Sequence, residues 1–137
     1  MSTVINQAVQ VRLIASAPLE RAIPAGLRYE PADPFAVRIT FPATASLDGA
    51  EVAWTFARDL LATGLNEPVG AGDVHVWPCG TDRTVLEFHA LEGMAMIQID
   101  TTELRLFLRH SYELVPAGTE SGHLDVDSDL AALLRDA

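Results

Sequence analysis

The chain has no lysine and a single cysteine, Cys79. One cysteine excludes an intramolecular disulfide, and with it the stapled scaffolds of small secreted domains. Without lysine, nine arginines stand against nineteen acids, for a formal net charge of -10. That charge repels a phosphate backbone at long range, so nucleic acid would have to be held by a local arginine cluster. Arg12, Arg21, Arg28, Arg38, Arg58 and Arg83 are scattered, and only Arg105 and Arg109 lie one helical turn apart.

Long apolar runs are missing too. Nothing approaches the roughly 20 residues of a membrane span, and the start MSTVINQAVQVRLIA has neither the basic region nor the apolar core of a signal peptide. The expectation is a cytoplasmic protein with no direct membrane insertion, reaching a membrane only through partners. The 137 residues, 49% apolar and 20% charged, suit one folded domain spanning 1–137 and are too few for two ordinary ones.

Signature motifs of catalysis are scarce. There is no GxSxG elbow, no HExxH and no CxxC. Cys79 beside Gly80 reads as a small apolar filler more than a nucleophile. Gly70-Ala71-Gly72-Asp73 precedes a strand, so it is a turn and not a phosphate cradle. No enzyme activity, cofactor or metal is expected, with one feature kept in view: a hairpin centred near Asp82 would make His75 and His89 cross-strand neighbours.

Alternating apolar residues are what the chain has in quantity. Val9, Val11 and Leu13 alternate with Gln10 and Arg12, and Phe35, Val37, Ile39 and Phe41 with Ala36, Arg38 and Thr40, the period of half-buried strands. Leu27–Glu30 reads as a short extended piece. EVAWTFARDLLATGL predicts a strand from Glu51 to Ala57, then a short helix over Asp59–Thr63 stopped by Gly64 in a left-handed conformation; one helix from Gly49 to Thr63 is the alternative. DVHVWPC, TVLEFHA and GMAMIQID read as three more strands. Asp100 then N-caps the helix TTELRLFLRHSYELV, with Glu103 completing a capping-box pattern and Leu104, Phe107, Leu108, Ser111 and Val115 as its buried stripe. A loop over 116–126 leads to a short terminal helix at 127–136 bearing Leu130, Leu133 and Leu134.

This order predicts an α+β fold of two packed antiparallel sheets with helices at their edges. If the core takes one face of each strand, Trp77 and Leu106 are left without an obvious internal partner and suggest an interface; Trp54 either joins them or fills the core between the sheets. With them, Arg105, Arg109 and the tail carboxylates Asp125, Asp127 and Asp129 form the candidate interaction surface.

LRYEPADPFAVRITF, VAWTFARDLLATGLNEPVGAGDVHVWP and FLRHSYELVPAGTE together resemble the SsgA-like proteins of sporulating actinobacteria, and the tail GHLDVDSDLAALL resembles their SsgB members. The likeness runs from about Val9 to Leu134. It implies a whirly-like fold, a bell-shaped homotrimer and a non-enzymatic role in sporulation-specific cell division. It further implies work at the septum, recruiting the tubulin-like FtsZ with help from an SsgA-type paralogue in some organisms. It supplies no site residues. Single-stranded nucleic-acid binding, known for whirly proteins, is the alternative the fold likeness suggests. That function needs aromatic platforms in a positive groove, which ten more acids than bases do not favour.

Overall fold

A computed structural model describes residues 4–14, 21–42, 51–90 and 93–123. The first half is a meander of β1 (Ile5–Ile14), β2 (Arg21–Tyr29), β3 (Ala36–Phe41) and β4 (Val52–Ala57), followed by α1 (Arg58–Gly64). A second meander of β5 (Val69–Ala71), β6 (Val74–Cys79), β7 (Arg83–Ala90) and β8 (Gly93–Asp100) leads into α2 (Thr101–Leu114) and a 3-10 helix at Glu120–His123. The halves share one pattern, four strands and a helix.

The meanders do not stack as two separate sheets. All eight strands lie in one antiparallel sheet, ordered β4-β3-β2-β1-β8-β7-β6-β5. The join is β1 against β8, from Val11↔Ile99 to Ile14↔Met96. The two-sheet expectation failed because each meander leaves its β1 or β8 backbone unpaired on one side, and pairing the two satisfies both rows of donors and acceptors.

The sheet nevertheless folds over on itself as a half-barrel. Trp54 of β4 stacks on Phe88 of β7 with ring centroids 5.0 Å apart, although four strands separate them in the sheet. Phe41 and Phe56 flank the same ring. The concave face carries the core: Val9 and Val11, Ile23 to Tyr29 in alternation, Val37 and Ile39, Val74 and Val76, Leu86, Ile97 and Ile99. On it α2 lays the stripe expected from sequence, Leu104, Phe107, Leu108, Ser111 and Val115, all buried. Each such leucine or phenylalanine stabilises the fold by about 1.5–3 kcal/mol relative to an exposed one. Gln7 of β1 ties the helix down, its amide donating to the Glu103 carbonyl at 2.9 Å.

Local expectations fared unevenly. The change from strand to helix falls where VAWTFA meets RDLLATG, but Gly64 has no positive φ. A Cβ there would overlap the Val76 side chain, so glycine is required by close packing of α1 on β6. β2 is longer than Leu27–Glu30 and contains Pro24; β3 pairs only with Gly26, Leu27 and Arg28, so the missing N–H costs no ladder bond there. Phe35 falls just outside β3 and is 48% exposed. Asp100 occupies the N-cap of α2 without a side-chain cap bond; its carboxylate turns to Arg83 at 3.1 Å. The loop after α2 contains the 3-10 turn, and the terminal helix expected at 127–136 lies outside the described residues.

Candidate interaction surface

One convergence of charge is buried inside the protein, around Arg58 and Glu120. Arg58, the first residue of α1, is 1% exposed. Its Nη1 donates to the Ser111 and Val115 carbonyls at 3.1 and 2.9 Å, capping the last turn of α2, where the terminal carbonyls and the helix dipole both favour a cation. The guanidinium lies between two rings, 4.9 Å from the Tyr29 centroid and 4.1 Å from that of Tyr112. Nη2 stands 3.2 Å from Glu120 Oε2 as a charge pair out of line for a hydrogen bond, and Nε has no acceptor among the described residues.

These neighbours are tuned by their surroundings. The Glu120 carboxyl is held below its ordinary range by its own backbone N–H, then by the Gly118 N–H, which donates at 2.6 Å, and by Arg58. Burial pushes the Tyr29 and Tyr112 hydroxyls up, with Arg58 opposing. Tyr29 uses its hydroxyl internally, donating to the Pro34 carbonyl at 2.9 Å. Sequence reading missed the cluster. The available signal was an arginine inside the apolar run WTFARDLL, a place where a charge must find buried partners.

The surface candidates separate. Trp54 points into the concave side and is partly buried on Phe88. Trp77 is half-buried on the convex face, in a row running Arg12, Gln98, Val85, Trp77 across β1, β8, β7 and β6. Val85 in that row is only 3% exposed although it belongs to the face opposite the core. Arg105 and Arg109 are exposed on the outer side of α2, where with Thr102 and half-buried Leu106 they line a shallow groove. Because α2 covers the concave side, the Trp77 row and the Arg105, Leu106 and Arg109 group lie on opposite sides of the sheet. Asp125, Asp127 and Asp129 lie outside the described residues. The most exposed large apolar side chains among those described are Phe35, read from sequence as part of a half-buried strand, and Met94, at 48% and 55%.

The two histidines do meet, though not as direct partners. The β6–β7 register pairs His75 with Glu87, two residues from the expected alignment, so faces are kept and the contact is diagonal. Their ring centroids are 5.3 Å apart, and His89 Nε2 contacts the Glu87 carboxylate. The described residues hold no group of three or more His, Cys, Asp or Glu side chains arranged to take a metal ion. The Cys79 thiol is exposed, with the Gln98 amide 3.7 Å from Sγ. No helix among the described residues is long and apolar enough to cross a membrane.

Known proteins match this chain along its length. Residues 23–120 match the family described as Streptomyces sporulation and cell division protein, SsgA. The sporulation-specific cell division protein SsgB of Salinispora tropica is 42% identical over 135 residues, covering 96% of this chain and 94% of that one. SsgB of Streptomyces coelicolor is 40% identical over the whole of both chains. Among solved structures, an SsgA-like sporulation-specific cell division protein from Thermobifida fusca superposes with a TM-score of 0.83 at 34% identity, covering 96% of each chain. A structure from a study of SsgB mutations and longitudinal cell division in Streptomyces coelicolor superposes with a TM-score of 0.80 at 38% identity, covering 90% of this chain and 98% of that one. Sequence and fold thus agree along nearly the whole chain, which belongs to the SsgA-like family of sporulation and cell division proteins and stands with its SsgB members.

Proposed function

We propose that the protein is a non-catalytic adaptor of sporulation septation, which marks the division site and brings FtsZ to it. The observation that carries this reading is the end-to-end likeness to SsgB proteins, 40% identity across both full chains with Streptomyces coelicolor SsgB. The adaptor works as a homotrimer of whirly-like fold at the septum, joined by an SsgA-type paralogue where one exists, without inserting into the membrane. Its specificity comes from surface complementarity, and the net charge of -10 discourages indiscriminate contact with chromosome and anionic lipid. The half-buried Trp77 and Leu106 are its candidate contact residues, Leu106 beside Arg105 and Arg109.

Single-strand binding is the weaker reading, since the concave face is filled by core side chains and α2 and leaves no stacking groove there. Light scattering followed by co-sedimentation with polymerising FtsZ tests the proposal. A trimer that travels with the filaments is expected. A monomer that ignores FtsZ but binds short single strands tightly and salt-sensitively would overturn it.

A further inference from the structure

The half-barrel has two lips, and they are finished differently. One edge of the sheet is β5, only three residues long and packed beside α1. The other is β4, VAWTFA, which carries no charge, no proline and no glycine to discourage pairing. α1 leaves the end of β4 and crosses to β5 and β6, bridging the lips at that end. Towards the opposite end of β4 lies an apolar cleft of about 160 Å³, lined by Phe41, Val52, Trp54, Phe88 and Ala95 among others.

The ladder shows which groups of β4 have no partner among the described residues. The Arg58 N–H donates to the Phe35 carbonyl at 2.7 Å, continuing without a bulge the register that runs from Ala36↔Ala57 to Phe41↔Val52. Hydrogen-bonded and non-bonded pairs alternate in an antiparallel ladder. Val52, Trp54 and Phe56 therefore direct their amides and carbonyls to β3. Ala53, Thr55 and Ala57 direct theirs to the open side, and their small side chains are exposed on the convex face. Exposed acids, Glu51 and Asp59, stand just beyond the two ends of the strand.

We propose that the free edge of β4 is a strand-addition site for an extended segment of a partner protein. That segment would pair with Ala53, Thr55 and Ala57, place apolar side chains towards the cleft beside Trp54 and Phe88, and carry basic residues at its ends. Main-chain hydrogen bonds supply the affinity in this mode of recognition, and alternate side chains supply the selectivity. Glu51 and Asp59, within a chain of net charge -10, select the basic ends. The inference stands whether or not FtsZ is the partner.

The test uses the full chain and a fluorescent peptide of strand length, alternating valine and threonine with an arginine at each end. Saturable binding is expected, with slowed deuterium exchange at the Ala53, Thr55 and Ala57 amides. Thr55→Pro removes an outward-facing N–H and leaves the β3 ladder intact, so it should weaken binding ~10-fold or more. Thr55→Val should not. A peptide methylated on alternate amides, used with the unaltered protein, should also fail, which keeps the test independent of how the proline variant folds. Equal binding of the methylated peptide, no saturable binding, or protection elsewhere would overturn the proposal. So would a dimer that Thr55→Pro dissociates and that competes with the peptide, because the edge would then belong to a second copy.

Discussion

Arg58 and Glu120 face one another at 3.2 Å with side-chain exposures of 1% and 8%, joining the start of α1 to the turn that follows α2. The same guanidinium holds the last carbonyls of α2, so one side chain ties the start of α1 to the end of α2.

Arg58→Ala should therefore be among the most damaging single changes in the chain. It strips two charged hydrogen bonds from buried carbonyls and empties the space between Tyr29 and Tyr112. A loss of about 3 kcal/mol or more in urea unfolding is expected. Arg58→Lys should recover only part of it, since an ammonium cannot reproduce the planar contact with both rings.

The pH dependence has two limbs. Glu120 is depressed in the folded state, so its contribution is fully present above the ordinary carboxylate value of 4.5 and is lost as pH falls through the folded value. Glu120→Gln should flatten the acid side of a stability profile. Tyr29 and Tyr112 are raised, so their contribution holds below the ordinary value of 10.0 and is lost as pH rises beyond it, because the unfolded phenols ionise first. Tyr112→Phe should flatten the alkaline side, read by denaturant midpoints across pH.

Gly64→Ala should destabilise by about 1–3 kcal/mol, the usual effect of forcing extra atoms into packed space. The added methyl collides with Val76. Trimming the partner tests the cause: Gly64→Ala combined with Val76→Ala should cost less than the sum of the two separate losses in thermal unfolding.

The two tryptophans should behave differently. Trp54→Ala removes the ring stacked on Phe88 and should lower stability by about 2 kcal/mol or more. Trp77→Ala removes a half-buried side chain on the convex face and should change folding less while weakening assembly. Denaturant titration and light scattering on both variants check this. Equal loss of stability with unchanged mass would make Trp77 a core residue in function.

Much of this arrangement is legible along the chain. Period-two alternation marks which side chains of β1, β3, β4, β6 and β7 face inward, and the three-four spacing from Leu104 to Val115 marks the buried face of α2, because periodicity reflects a local geometry that burial then exploits. Even the hairpin faces survived a two-residue error in register, since a shift of two preserves which side a residue takes.

Pairing between distant strands left no such mark. Nothing local in β1 names β8 as its neighbour, and the curl that brings Trp54 onto Phe88 accumulates over six strands. Hence Trp54 could be read either way in sequence and is packed in the fold. The role of Gly64 follows from the nearness of Val76, and the role of Arg58 from carbonyls 53 and 57 residues away. By itself the sequence determined the elements, their inward faces and the family, all written in short-range pattern. The single curled sheet, the buried arginine and the open edge of β4 were decided by tertiary structure, because long-range contacts and the unpaired groups they leave arise only when the whole chain is packed.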